Sequence, residues 1–147
     1  MTACPWSMKE LVPHAPPMVL LGEVTAWDDL GLTAVVTIKP ETRFFRPGCG
    51  VPAHVGLEWM AQACGAFAGL NAKMAGQPVR IGFLLGTRDF TADRAWFAVD
   101  ETLSVAVTQV FQESGMAVFH CRIAAGEAEC ARARITVYQP ADGDGQL

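Results

Sequence analysis

The chain reads as an α+β domain, two strands followed by one long helix and about four further strands, and three observations predict this. The stretch from Val51 to about Met74 is apolar or small with a 3.6-residue repeat, whereas 18–39 and 79–138 are rich in β-branched residues. Only one long helix is available to bury so many strands, so a single curved antiparallel sheet wrapped around it is the economical arrangement. At 147 residues there is material for one ordinary core and not for two.

Ser7 is a capping residue for a short helix over Met8, Lys9, Glu10 and Leu11, which ends near Val12 because Pro13, Pro16 and Pro17 follow. Met18 to Ala26 and Gly31 to Lys39 form an expected hairpin around AWDDLG. The loop PETRFFRPGCG leads into the helix, with Pro52 in its first turn and the stop at Gly76-Gln77-Pro78. Strands are expected over 79–90, 102–113, 116–124 and 128–138, separated by ADRAWFAVDE, SG and AGE. Alternation is clear at Ser104, Ala106 and Thr108 against Val105 and Val107, and at Arg132 and Arg134 against Ala131, Ala133 and Ile135. This element order is that of the hotdog fold, as one domain over 1–140 with a flexible tail over 141–147.

The formal charge of -4 leaves no basic footprint for nucleic acid. His54, Glu58 and Gln62 interrupt the helix within any window long enough to cross a bilayer, and MTACPWSMKE lacks a basic segment followed by an apolar run, so a cytoplasmic location is expected. Cys4, Cys49, Cys64, Cys121 and Cys130 form an odd set without C-x-x-C spacing, which reads as reduced thiols, the last three in the core. No metal-ligand set, glycine-rich phosphate loop or nucleophile elbow is present, and neither metal nor cofactor is expected.

His54, Glu58 and Gln62 recur every four residues and share one side of a helix. A carboxylate in an apolar helix is expensive unless it has a partner or a task. Glu58 and Gln62 satisfying one another, or facing an interface, is the structural alternative to chemistry.

PAHVGLEWMAQACG resembles the start of the central helix in the β-hydroxyacyl-ACP dehydratases of fatty-acid synthesis, where an acidic residue is followed four positions on by the Gln of an A-Q pair. Glu58 and Gln62 occupy those positions. VPHAPPMVLLGEV resembles the segment that opens the same family, and RIGFLLGTRDF resembles its strand after the helix. The combination is most similar to the ApeP-like branch, associated with aryl-polyene and related polyketide pathways. One departure stands out: the fatty-acid enzymes carry a catalytic His in the loop before the helix, and this chain has FFRPGCG there.

The resemblance implies dehydration of 3-hydroxyacyl groups, carried on the phosphopantetheine arm of an acyl carrier protein, to trans-2-enoyl thioesters. The reaction needs an acid, a base and stabilisation of the thioester oxygen. Glu58 is the expected acid. Gln62 orients it or binds substrate, and the first helical turn around Ala53 and Gly56 offers amides to the oxygen, with Gly56 allowing close approach. The base is open: His54, one turn before Glu58; His14, in the N-terminal segment; or a histidine from another hotdog dehydratase, since the site in the fatty-acid enzymes is shared between two subunits. His120 reads as structural. Arg88, with Arg43, Arg46, Arg80 and Arg94, is a candidate for the carrier's acidic surface or the arm's phosphate. The assembly is expected to be a homodimer or a heterodimer with another hotdog dehydratase. Hydrolysis of the thioester, and a non-catalytic acyl-binding subunit, are the alternatives.

Overall fold

The computed structural model describes residues 2–12, 18–79 and 82–139. The elements in order are α1 (Met8–Leu11), β1 (Val24–Trp27), β2 (Gly31–Thr37), β3 (Val51–Pro52), a 3₁₀ turn (Ala53–Val55), α2 (Gly56–Met74), β4 (Phe83–Ala92), β5 (Trp96–Phe97), β6 (Thr102–Glu113), β7 (Met116–Ala125) and β8 (Ala128–Tyr138). Six strands form one antiparallel sheet in the order β1-β2-β6-β7-β8-β4, and β3 pairs with β5 alone. This is the hotdog arrangement of helix and sheet.

The helix buries Trp59, Met60, Ala63, Phe67 and Leu70 against the inner residues of β2, β6, β7 and β8, among them Leu32, Val105, Phe119 and Ile135. Phe67 meets Phe119 edge to face at 5.8 Å, and Trp59 lies 5.0 Å from Phe97 between ring centroids. Each large apolar side chain enclosed in this way stabilises the fold by about 1.5–3 kcal/mol. Inward Val105 and Val107 alternate with half-buried Ser104 and Ala106, and inward Ala133 and Ile135 with exposed Arg132 and Arg134. Cys64, Cys121 and Cys130 are buried free thiols, as their apolar neighbourhoods predict.

Several boundaries differ from expectation. The first strand covers Val24–Trp27, not 18–26, because the amides of Leu20 and Leu21 bond to the side chain of Gln62 instead of a neighbouring strand. Pro52 precedes the helix as a strand residue paired with Trp96, so the stretch expected to be a plain turn contains β5. These two short strands tie the entrance of α2 to the linker before β6. The strand after the helix begins at Phe83 and continues past Phe90 to Ala92, with its register shifted around Asp89, whose φ is 57°. The helix ends as foreseen, with Gly76 at φ 70° after the Ala75 cap. Residues 141–147, expected to be a tail, lie outside the described residues, as do His14 and Arg80.

Candidate active site

One face of α2 is left uncovered by the sheet. Along it run Glu58, Ala61, Gly65 and Ala68, spaced three or four residues apart, and the small side chains leave room where a larger residue would close the space. A Cβ built on Gly65 meets nothing within 4 Å. The result is a cavity of about 230 Å³, predominantly apolar, walled by Met18 and Leu20 on one side and by Leu84 and Val137 on the other, with the Glu58 carboxylate at its edge. A larger hollow of about 600 Å³ continues along the helix, sharing Ala68, Val137 and Gln139 with the first and reaching Asn71, Gln112 and Tyr138. The two together have the shape of an extended groove.

Gln62 is 4% exposed and serves the N-terminal segment. Its Oε1 accepts the N–H groups of Leu20 at 2.7 Å and Leu21 at 2.9 Å, and its Nε2 donates to the carbonyl of Met18 at 2.8 Å. With the oxygen doubly bonded in this way, Gln62 is a positioning residue that holds the cavity wall. A neutral amide with both a donor and an acceptor is what the backbone groups of Met18, Leu20 and Leu21 require, and the same side chain also lines the Glu58 cavity.

Glu58 is exposed, whereas a helix buried on most sides was expected to enclose it. The open face of small residues is the reason. His54 is also exposed, sits in the 3₁₀ turn, and is not among the residues lining the Glu58 cavity. Ala53 donates its N–H to the carbonyl of Ala95 at 2.9 Å, and the N–H of Gly56 is taken by the carbonyls of Ala53 and His54, so neither amide is available to a thioester oxygen. Gly56 is glycine for packing rather than for substrate approach, because a Cβ there would lie 2.7 Å from Cδ1 of Ile123.

Arg88 stands directly opposite Arg134 on β8, on the face of the sheet away from α2, so this chain does not bring it to Glu58. His120 is on that outer face too, where its Nε2 accepts from Nη2 of Arg134 at 2.9 Å. Arg94 is held by Asp93 at 2.9 Å and Glu101 at 2.7 Å, and these carboxylates push its guanidinium further up from its already high range. No group of three or more His, Cys, Asp or Glu able to hold a metal occurs among the described residues, and no described helix is long and apolar enough to cross a membrane.

The small residues at 61, 65 and 68 were not singled out in the sequence. Their spacing is the signal that could have found them: three small side chains beside Glu58 on one helical stripe mark a face with space in front of it.

β4 is an edge strand of the sheet, with Leu84 and Leu85 54% and 58% exposed, and Leu84 also lines the Glu58 cavity. The cavity therefore opens beside an unpaired, apolar edge.

A chain of the dehydratase heterocomplex ApeI:P from Xenorhabdus doucetiae superposes with a TM-score of 0.88 at 25% identity, over 95% of this chain and 94% of that one. The fold is shared with a hypothetical thioesterase with coenzyme A from Streptococcus pneumoniae TIGR4 (TM-score 0.64, 14% identity, 81% and 85% covered) and with the PaaI protein of E. coli (0.62, 10%, 78% and 80%). No curated protein sequence matches significantly. Residues 6–147 match the family described as ApeP dehydratase, and the chain belongs to the ApeP-like dehydratase family.

Proposed function

We propose that the protein dehydrates 3-hydroxyacyl thioesters on acyl carrier protein to the trans-2-enoyl form, as half of a site completed by a second hotdog subunit. The observation that carries this reading is the Glu58 carboxylate at the edge of an apolar cavity that opens at the exposed edge of β4, with no histidine among the described residues lining it. A subunit pairing along β4 covers that opening. It would exclude water from Glu58 and from the leaving hydroxyl.

The acyl chain lies along Ala61, Gly65 and Ala68, toward the second hollow. A base removes the α-proton, negative charge builds on the thioester oxygen, and Glu58 protonates the β-hydroxyl as it departs as water. With Ala53 and Gly56 already bonded and Val55 donating within the 3₁₀ turn, the amide of His54 is the candidate of this turn for the oxygen. The base is His14, His54 or a histidine of the partner. The partner alternative has the most support: the loop before the helix lacks a histidine, His54 does not line the cavity, and the similar Xenorhabdus chain belongs to a dehydratase heterocomplex. The substrate class is that of an aryl-polyene or related pathway in the cytoplasm, with Arg43 and Arg46 on the loop before the helix available to the acidic carrier.

Intact mass of a 3-hydroxyacyl carrier protein, followed with the protein alone and with a histidine-bearing hotdog dehydratase of the same pathway, tests the proposal. It expects loss of about 18 mass units, the water removed by paired acid and base, and no loss with Glu58→Gln. Loss only with the partner establishes the shared site; loss with the protein alone turns attention to His14 and His54. Release of the whole acyl group would make it a thioesterase. No change in either condition would leave an acyl-binding subunit.

A further inference from the structure

The outer face of the sheet carries the greatest concentration of cationic side chains on the described surface, although the chain as a whole has a formal charge of -4. Of eight arginines, Arg88, Arg122, Arg132 and Arg134 stand here, all exposed. Cross-strand register places Arg122 directly opposite Arg132, and Arg134 opposite both His120 and Arg88. Like charges facing one another across a ladder are destabilising. One carboxylate relieves part of this, Glu129 on Arg132, while among the described residues neither Arg122 nor Arg88 has a carboxylate partner. Arg122, Arg132 and Arg134 line a shallow depression of about 520 Å³ together with Ala106, Thr108 and His120, and the carboxylates of Asp89 and Glu129 leave the three arginines in excess there.

The geometry points to this face as the docking surface for a protein partner that presents an acidic helix. The depression extends over β6, β7, β8 and β4, four neighbouring strands, or about 14 Å across at the usual strand spacing, against a helix diameter of about 10–12 Å. A row of carboxylates along such a helix would meet Arg122, Arg132 and Arg134, with Arg88 beside them on β4. A second copy of the same face is excluded as occupant, since a two-fold contact sets arginine against arginine. A small polyanion is disfavoured because strand amides are spent in the ladder and the sheet face presents no cradle of backbone N–H groups. Pairing of another subunit along β4 extends the sheet in its plane and leaves this face open, so the inference is independent of the proposed reaction.

The test is fluorescence anisotropy of a labelled helical peptide of about 20 residues carrying glutamate at every fourth position, beside the same peptide with glutamine. The full chain is expected to bind the glutamate peptide alone. Substituting Arg122→Gln, Arg132→Gln and Arg134→Gln together is expected to weaken binding at least about tenfold, while Lys9→Gln with Lys39→Gln leaves it unchanged. The triple variant removes like-charge repulsion along with the exposed Arg132–Glu129 and Arg134–His120 contacts, and a thermal melt close to the parent's separates lost binding from lost folding. Absence of binding, equal weakening by the two sets of substitutions, or displacement of the peptide by sodium tripolyphosphate at the peptide's own concentration would each overturn the inference. Dehydration measured on the same triple variant reports separately on the reaction.

Discussion

The side-chain oxygen of Gln62 and the backbone N–H of Leu20 are joined at 2.7 Å across 42 residues of sequence, and this contact fixes one wall of the Glu58 cavity. The same carboxamide also satisfies Leu21 and Met18. Gln62→Ala is expected to destabilise the fold by about 2–4 kcal/mol, because it orphans backbone groups that no strand partner can take over. Gln62→Glu retains the acceptor and loses the donor to Met18, so it should fall between. Urea titration checks both; an unchanged midpoint for Gln62→Ala would mean that the segment is held by other contacts.

Glu58 contrasts with it. Because Glu58 is exposed, its replacement by Gln should shift stability by no more than about 0.5 kcal/mol. Dehydration in the assembled complex should drop by at least about a hundredfold, the contribution of a positioned general acid. A melting curve and a rate on one sample separate the two effects, and a variant with normal turnover would remove Glu58 from the chemistry.

Two helix glycines, four residues apart, should respond in opposite directions. A Cβ on Gly69 would overlap the carbonyl oxygen of Leu11, so Gly69→Ala forces α1 away and is expected to cost about 1–3 kcal/mol. At Gly65 a Cβ meets nothing, and Gly65→Ala should stabilise by about 0.5–1 kcal/mol through helix propensity. Gly65→Leu, in contrast, fills the cavity and should raise KM for long acyl chains more than for short ones. Thermal melts and chain-length series read these directly.

Association along β4 predicts that Leu85→Lys weakens subunit pairing at least about tenfold in Kd, equivalent to about 1.4 kcal/mol and within the value of one buried leucine. Leu85 is 58% exposed in the single chain, so the folded subunit should tolerate the lysine. Sedimentation velocity over a concentration series would show it. Pairing unaffected by the lysine would place the interface elsewhere.

The thiols should divide by burial. Cys64 and Cys121 lie 3.8 Å apart between Sγ atoms in the core, and burial pushes the Cys64 thiol well above its ordinary range. Burial raises Cys130 as well. Iodoacetamide at pH 8 should therefore label exposed Cys49 first and leave Cys64, Cys121 and Cys130 untouched until the chain unfolds, as mass spectrometry of the digested protein would record. Early labelling of Cys64 would show that helix and sheet separate readily at that point.

Much of the fold is legible because its signals are local. The bounds of β6 and β8 follow from period-two alternation, the end of α2 from Gly76 and Pro78, and the short α1 from Ser7, where the Glu10 carboxylate accepts both the Ser7 N–H at 3.1 Å and its hydroxyl at 2.8 Å. The motif around Glu58 and Gln62 likewise points to the dehydratase family, to which residues 6–147 belong. What the local pattern misreads is the stretch from Met18 to Leu21: its apolar residues look like a strand, yet the amides of Leu20 and Leu21 are claimed by a side chain some forty residues away.

The sequence by itself determined the order of elements, the α+β class and the spacing that puts Glu58 and Gln62 on one helix, because periodicity and chain punctuation act within a few residues. Only the tertiary structure decided that Gln62 braces a wall while Glu58 faces an opening, that Gly56 serves packing against Ile123, and that Arg88 turns to the outer face. Those outcomes depend on which backbone groups and side chains meet across the fold, and sequence spacing along one element carries no information about what lies opposite it.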